Sequence, residues 1–434
     1  MTAAPPELLT DEYQLAMAGS YLLQGIADDP TVFELTIRSL PPERGYLLVA
    51  GLESAVGYLT GLRFSKESLA YLQRAGICTG DTCRALAELR FDGDLDAVPE
   101  GTVAFAGEPL LRVSGRRIVC QLVESFLLNQ VCFQTLVASK AARMVAVAGG
   151  RPLVDFGFRR AHGAEAGLWA ARSAWIAGFA GTATVAAGQR FGIPTSGTMA
   201  HSYVLAFPSE VEAFRAFLRD WPERSTLLID TYEPLGGTRA AVEAARLEGV
   251  TPQAVRIDSG ELDEVARGVR AILDDAGLGA TRIVASGDLD EYRIAELVAA
   301  GAPIDGYGLG TRLVTSYDVP ALVGAYKLTQ SAGRPVMKTS AEKLTLPGAH
   351  QVFRSGGEDV IGLEEETLPG VPLLRPVLRA GALVEQLPAL DEIRARAAAE
   401  LAALPPGVRA IQHPATLPPR LSPQLTELRE SLIR

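Results

Sequence analysis

The sequence predicts an α/β protein centred on a β/α barrel, and three observations carry that reading. From residue 151 onward, short apolar runs alternate with helix-like stretches, the order that builds a parallel sheet with helical crossovers. These runs end in polar or glycine-rich signatures, and side chains gathered at the C-terminal ends of successive strands are what a barrel presents on its active face. Up to about residue 119 and after residue 333 the pattern changes to short strands separated by turn signals, which is antiparallel α+β material at both ends of the chain. An open doubly wound sheet is the alternative. It would concentrate polar signatures at one switch point, whereas here they recur on every strand.

Taken in order, Thr10 or Asp11 is placed to cap a helix over residues 11–23, with Tyr13, Met17 and Tyr21 on one face. Met17 and Tyr21 read as an ordinary helical stripe. Residues 32–37 and 46–50 read as strands, followed by a helix to residue 61. Asp92-Gly93-Asp94 and Pro99-Glu100-Gly101 are turn signals, and Val103, Phe105, Leu111 and Val113 supply the strands between them. A helix over residues 118–147 carries Leu122, Phe126, Leu127 and Leu136 on its apolar side. Lys140 and Arg143 lie near its C-terminus, where cations suit the helix dipole.

The barrel pattern opens with a strand at residues 153–157, then Arg159-Arg160, then a helix holding Leu168, Trp169, Trp175 and Ile176. Residues 181–190 read as a second helix. It leads into Phe191 to Ser202, where Pro194 stops the helix and Gly197 frees the backbone ahead of Thr198 and His201. Strands follow at residues 227–233, 255–260, 282–288 and 304–311, with a helix over 261–274. After Gly333, residues 335–338, 351–354 and 373–378 read as strands, and Ala380-Gly381 turns the chain into residues 382–384. A helix over 390–404 is stopped by Pro405-Pro406. The proline-rich tail reads as a surface-hugging or mobile extension.

A chain of 434 residues is too long for one core, so two or three domains are expected. The formal net charge of −10 argues against a broad basic face for nucleic acid or membrane, and any anionic ligand falls to local arginines and backbone amides. Cys78, Cys83, Cys120 and Cys132 show neither a CxxC pair nor zinc spacing and read as reduced, buried thiols. No leader with a basic then apolar region is seen at the N-terminus, and no apolar run is long enough for a membrane span, so a cytoplasmic enzyme is expected.

Ser286-Gly287 and Gly308-Leu309-Gly310-Thr311 end two consecutive strands. Glycines let backbone N–H groups approach an anion, and barrels often build phosphate sites from their last two strand-end loops. Arg159 and Arg160 suit multidentate binding of a pyrophosphate, although a solvated arginine pair is the plainer reading. Asp230, Glu233, Asp258 and Asp288 are strand-end carboxylates. They suit Mg²⁺, ribose hydroxyls or a sugar carbon developing positive charge, and equally the capping of helices. His201 alone is ambiguous between a core histidine and a catalyst. A diphosphate site, a ribose site and a histidine together point to phosphoribosyl transfer.

At that point the residues match a known family. The chain resembles nicotinate phosphoribosyltransferase over most of its length, through Thr10-Asp11-Glu12-Tyr13-Gln14, Asp155-Phe156-Gly157-Phe158-Arg159-Arg160-Ala161, Phe191-Gly192-Ile193-Pro194 and Gly197-Thr198-Met199-Ala200-His201-Ser202. Further matches are residues 228–232, Arg256-Ile257-Asp258-Ser259-Gly260, Gly308-Leu309-Gly310-Thr311 and Lys343-Leu344-Thr345-Leu346-Pro347-Gly348. The resemblance implies that nicotinate displaces pyrophosphate from phosphoribosyl pyrophosphate, coupled to ATP hydrolysis through a phosphohistidine matched by His201, with Mg²⁺ accompanying the diphosphate. It also implies that Thr198 and Arg256 hold nicotinate. Tyr13 would stack on the pyridine across a dimer interface, and Thr311 would contact phosphoribosyl pyrophosphate. Asp258 is our own candidate for supporting the ribosyl cation. The implied fold is an irregular, TIM-like β/α barrel over residues 126–334, flanked by a discontinuous domain from residues 1–125 and 335–434, in a homodimer.

This sequence departs from relatives at Gly181-Thr182-Ala183-Thr184, and also at His162, Met199 and Glu261. Ala183 stands where the related nicotinamide enzyme carries an aspartate that reads the amide, which favours the acid. Rival readings are a nicotinamide or quinolinate phosphoribosyltransferase, and a non-catalytic nucleotide sensor on the same scaffold.

Overall fold

A computed structural model describes residues 5–340 and 345–433 in two compact units. One comprises Met1–Leu136 with Ala321–Arg434, the other Val137–Pro320. Residues 126–136 and 321–334 thus fall in the first unit. Lys343 and Leu344 lie outside the described residues.

The first unit is built on a seven-stranded antiparallel sheet in the order Arg334–Pro335, Gly324–Ser331, Pro30–Ile37, Pro109–Arg116, Asp94–Ala97, Arg375–Arg379, Ala382–Leu383. Pro30–Ile37 lies between Gly324–Ser331 and Pro109–Arg116. That pairing draws residues 324–331 into this unit. Leu35 and Ile37 are fully buried, and Phe33 stacks on Tyr326 with centroids 5.1 Å apart. A four-stranded sheet, Val371–Pro372, His350–Ser355, Glu358–Leu363 and Arg420–Leu421, completes the unit. Arg112 links the two sheets. It donates to Asp96 Oδ2 (3.0 Å), Glu364 Oε1 (2.5 Å) and the His350 carbonyl (2.9 Å).

Several expectations are corrected here. The strand expected over residues 335–338 is reduced to Arg334–Pro335, and the one over 46–50 to Leu47–Leu48. Of the two forms expected for the C-terminal tail, surface-hugging or mobile, the packed one is found. Arg420–Leu421 pairs with Glu358–Leu363, and the helix Pro423–Ile433 buries Leu425 completely. Cys78 and Cys83 form a disulfide with Cα atoms 6.0 Å apart, while Cys120 and Cys132 are buried thiols. The short connection between the helices Lys66–Arg74 and Gly80–Glu88 brings the two sulfurs together without any CxxC spacing. The helix expected over 118–147 is broken at Val123 into Arg117–Leu122 and Glu124–Val147.

The second unit carries a curled, six-stranded parallel sheet in the order Gly181–Thr182, Leu153–Asp155, Gly306–Leu309, Arg282–Ala285, Ala254–Ile257, Thr226–Leu228. A single parallel bridge between Thr182 and Thr195 extends one edge. Among the described residues no ladder joins that edge to Thr226–Leu228, so the expected barrel is open. Gly181–Thr182, expected at the start of a helix, is instead an edge strand, and the helix is Val185–Phe191. Lys140 and Arg143 do more than complement a dipole. They flank the fully buried Glu291 at 2.6 and 2.8 Å, and Lys140 also meets Asp318 at 2.8 Å. Burial pushes the Glu291 carboxyl up, but these two cations outweigh it and hold the group below its ordinary value. Among the described residues no helix is long and apolar enough to cross a membrane.

In the first unit, Arg354 grips Asp359 through two bonds of 2.8 and 2.6 Å. Glu108, buried beside that pair, accepts from the Phe105 amide at 2.9 Å. Burial first, then Asp359, raise its pKa well above the carboxylate range. A raised carboxyl stabilises the fold fully below its unfolded pKa and loses that contribution as pH rises toward the folded value. Glu108→Gln keeps the acceptor and needs no proton. Its melting temperature is therefore expected to exceed that of the parent at pH 8 and to match it near pH 5. Equal melting curves at both pH values would remove the buried proton from Glu108.

Candidate functional site

The site is laid out along the C-terminal ends of the parallel strands. The first strand ends at Asp155, which is 1% exposed. Its Oδ1 accepts from the Gly157 amide at 2.8 Å and its Oδ2 from the Thr182 hydroxyl at 2.7 Å. Burial raises its pKa, and those two hydrogen bonds pull the other way. The turn fixed in this way presents Phe156 and then the short 3₁₀ helix Phe158–Arg160. Arg159 and Arg160 are both exposed, as a pair awaiting an anion or merely solvated would be.

Arg256 lies on the strand Ala254–Ile257 and is half-buried. Its Nη1 donates to the Thr198 hydroxyl, and its Nη2 lies 3.8 Å from Asp258 Oδ1. Its guanidinium sits over the Phe156 ring at 5.9 Å. Nε is buried with no partner among the described residues. Burial lowers the Arg256 pKa, the carboxylates of Asp258 and Asp230 oppose that shift, and the charge of Arg159 adds to it. The result is a poorly hydrated cation beside an aromatic face, a setting that takes a planar anion. Gly308 makes room for the ring, because a Cβ there would come within 2.3 Å of Phe156.

Asp258 is held by Ser286, whose hydroxyl donates to Oδ1 at 2.5 Å. The loop that delivers Ser286 depends on Gly287. Its φ is +96°, and a Cβ would lie 2.2 Å from the Asp258 carbonyl oxygen. Asp288 follows with φ of 47° and is exposed. Asp230 accepts from the Asp258 amide and the Ser259 hydroxyl, both at 2.7 Å and both through Oδ2. Asp258, Ser259, Gly260, Glu261, Ser286, Gly287 and Arg293 line a polar cleft of about 320 Å³. Gly310 and Thr311 lie on the rim, with Thr311 opening the short helix Thr311–Val314. Glu233 is a helix cap, accepting from the amides of Leu235 (2.9 Å) and Gly236 (2.5 Å).

His201 begins the helix His201–Leu205 and is half-buried. Its Nδ1 lies 3.2 Å from the Thr231 hydroxyl. His201 follows the Thr195 edge of the sheet and Thr231 follows Thr226–Leu228, so this contact spans the open side of the barrel. Within this unit the structure links Thr198, Arg256, Asp258, Ser286 and Asp230 in one chain of contacts, and His201 meets Thr231, the residue that follows Asp230. Tyr13 lies in the other unit, on the helix Glu12–Leu23, and is 49% exposed.

Sequence reasoning assigned no role to Phe156, Asp155 or Thr231. The first two sit inside the Asp-Phe-Gly stretch and were visible as strand-end residues. Thr231 carried no signal of its own, because its importance comes from an edge that faces it across the gap.

The C-terminal rim of this curled parallel sheet thus carries glycine loops, a half-buried arginine and paired carboxylates, in an α/β protein. Residues 8–132 match the nicotinate phosphoribosyltransferase (NAPRTase) N-terminal domain, and residues 366–429 the C-terminal domain of the same family. The chain is 45% identical to a nicotinate phosphoribosyltransferase of Mycobacterium tuberculosis, over 98% of this chain and 94% of that one. It is 33% identical to the Homo sapiens nicotinate phosphoribosyltransferase over 99% of this chain and 97% of the other. The crystal structure of human nicotinic acid phosphoribosyltransferase superposes with a TM-score of 0.86 at 31% identity, covering 98% of this chain and all of that one (100%). The chain belongs to the nicotinate phosphoribosyltransferase family.

The Gly287 loop gives a direct test of the rim. Gly287→Ala combines a left-handed backbone with a collision against Asp258, costing about 1–3 kcal/mol of stability. The expected outcome is a lower melting temperature together with a fall in turnover that outlasts stabilisation of the fold by osmolyte. Parental turnover in the variant would show that the Ser286–Asp258 contact is dispensable.

Proposed function

We propose that this protein transfers the phosphoribosyl group of phosphoribosyl pyrophosphate to nicotinate, giving nicotinate mononucleotide and pyrophosphate in NAD biosynthesis. The observation that carries the reading is Arg256. It is a half-buried guanidinium whose Nε lacks a partner among the described residues, flanked by Thr198 and by the face of Phe156. Such a setting fits an aromatic ring bearing a carboxylate. Ala183, whose amide donates to the Asp155 carbonyl at 2.7 Å, offers no carboxylate to read an amide. That supports the acid over nicotinamide.

In the reaction, the pyridine nitrogen forms a bond to the anomeric carbon as the bond from that carbon to pyrophosphate breaks, and the electron pair leaves with pyrophosphate. Arg256 and Thr198 orient the ring. Asp258, fixed by Ser286, faces the positive charge that develops on the ribosyl group. Arg159, Arg160 and the loops at Ser286-Gly287 and Gly308–Thr311 would bind the phosphates, the Ser286 amide itself being bonded to the Ile257 carbonyl at 2.9 Å. Mg²⁺ would be held through Asp230, whose Oδ1 is buried and free of protein partners among the described residues, and would supply charge neutralisation of the diphosphate. Asp288, the other candidate, is exposed.

ATP coupling runs through His201. A ring nitrogen takes the γ-phosphoryl group as the bond to the bridging oxygen breaks, and ADP leaves with that electron pair. The hydrogen bond to Thr231 orients the imidazole for this step. Tyr13 is exposed on its own unit and would complete the pyridine site of a second subunit in a cytoplasmic homodimer.

Nicotinate, nicotinamide and quinolinate should be offered in turn with phosphoribosyl pyrophosphate, with and without ATP. Turnover is expected with nicotinate, and a preference for nicotinamide would overturn the reading. No pyrophosphate release with any of the three would favour a nucleotide sensor. Labelling from γ-³²P ATP is expected to be acid-labile and base-stable, and to vanish in His201→Ala while slow uncoupled transfer remains. Persistent label would place the phosphoryl group elsewhere. Arg256→Ala is expected to weaken nicotinate binding by about 1.5–3 kcal/mol, and an unchanged KM for nicotinate would remove it from the carboxylate.

A further inference from the structure

We propose that Lys140 is a positioning residue, a buried ammonium that ties the two glycine loops of the rim to one point and so fixes the spacing at which they meet the phosphates of phosphoribosyl pyrophosphate. What the loops bind rests on the phosphoribosyl-transfer reading above, whereas the tie between them stands on geometry alone.

The two loops leave neighbouring strands. Arg282–Ala285 leads into Ser286-Gly287, and Gly306–Leu309 into Gly310-Thr311. The parallel ladder between these strands ends at Ala285 and Tyr307, before either loop begins. Each loop then runs within a few residues into a carboxylate. After Gly287 the chain turns through Asp288, and Asp290 accepts from the amides of Tyr292 and Arg293 at 3.1 and 3.0 Å. That cap fixes the start of the helix Glu291–Ala299, of which Glu291 is the first residue. After Thr311 the backbone is bonded to itself step by step. The Thr315 amide donates to the Thr311 carbonyl at 3.2 Å, Tyr317 to Arg312 at 3.3 Å and Val319 to Ser316 at 2.7 Å. Arg312 also lies over the Tyr317 ring at 4.0 Å. Asp318 sits within that bonded segment.

Lys140 reaches both carboxylates. Its Nζ is 2.6 Å from Glu291 Oε2 and 2.8 Å from Asp318 Oδ1. Arg143, one turn further along the same helix, holds Glu291 Oε1 at 2.8 Å and donates to the Tyr292 hydroxyl at 3.1 Å. A cation complements a helix dipole only near the last turn, and Lys140 stands about two turns before the end of Glu124–Val147. Nor is stability a sufficient reason for the cluster. A lysine 1% exposed against a fully buried glutamate pays a desolvation cost that offsets much of the attraction, and apolar side chains would fill the space as well. What the charges add is a fixed distance between groups from three separate stretches of chain. A ligand that bridges two loops binds best when their spacing is set before it arrives.

Asp318 offers the gentlest cut, because its side chain is 31% exposed. Asp318→Ala is expected to raise the KM for phosphoribosyl pyrophosphate at least about tenfold and to leave the KM for nicotinate at its parental value. Amide hydrogen exchange should quicken in peptides covering residues 306–319. Asp318→Asn, which keeps an oxygen for the ammonium, should fall between Asp318→Ala and the parent on both measures. Lys140→Met should quicken exchange over residues 286–294 as well. If it fails to fold by circular dichroism, the two Asp318 variants decide alone. Leu425→Ala, in the other unit, is the control for lost stability: its melting temperature should fall while both KM values stay. A parental KM for phosphoribosyl pyrophosphate in folded Asp318→Ala, an equal rise in both KM values, or unchanged exchange at the loops overturns the proposal. Nicotinate mononucleotide formation by the parent is scored separately. Its absence defeats the phosphoribosyl reading, and exchange at the two loops then decides the tie by itself.

Discussion

The rim of the parallel sheet hangs on one buried carboxylate. Asp155 accepts from Gly157 on its own chain segment and from Thr182 on the neighbouring strand. The first bond sets the turn that delivers Phe156 and the Arg159–Arg160 pair. The second anchors Gly181–Thr182, the edge strand that in turn meets Thr195 and so places the segment leading to Thr198 and His201. Burial raises the Asp155 pKa, and bonding to two donors is the condition for keeping such a group inside the protein. Arginine pair, aromatic face and histidine segment thus share a single point of attachment.

Much of this was legible in the sequence. Strand-end residues announce themselves when a short apolar run breaks into glycine or charge, which is why Asp258, Ser286, Gly287 and Gly308 could be named from spacing and chemistry, whereas Arg256 and Thr198 were named through the family resemblance. The antiparallel character of both termini was legible for the same reason. Residues whose role depends on a distant partner were not. Thr231 matters through its contact with His201, which comes from a distant part of the chain. The Cys78–Cys83 disulfide was missed because its geometry comes from the turn between two short helices and not from a spacing rule. Of the two roles its strand-end position left open, Glu233 takes the capping one, as a carboxylate followed by proline at a helix start readily does.

The two units use charge differently. In the sheet-rich unit, arginines are spent on structure: Arg112 bridges three partners between sheets, and Arg354 holds Asp359 and Glu400. In the parallel-sheet unit, Lys140 and Arg143 likewise saturate Glu291, but Arg256 is left incompletely satisfied. An unfilled bond on a half-buried cation lowers stability, and a protein retains it where a ligand returns the loss on binding.

The seven-stranded sheet also has a consequence for how the chain is made. Val32 and Thr329, bonded between neighbouring strands, are 297 residues apart in sequence. At ribosomal rates of about 5–20 residues per second, Pro30–Ile37 emerges roughly 15–60 s before the strand that will lie beside it. Throughout that interval one side of a largely apolar strand stays unzipped while the intervening unit is synthesised. The nascent polypeptide is therefore most exposed to mispairing with other chains at its beginning, and a molecular chaperone would find its work there.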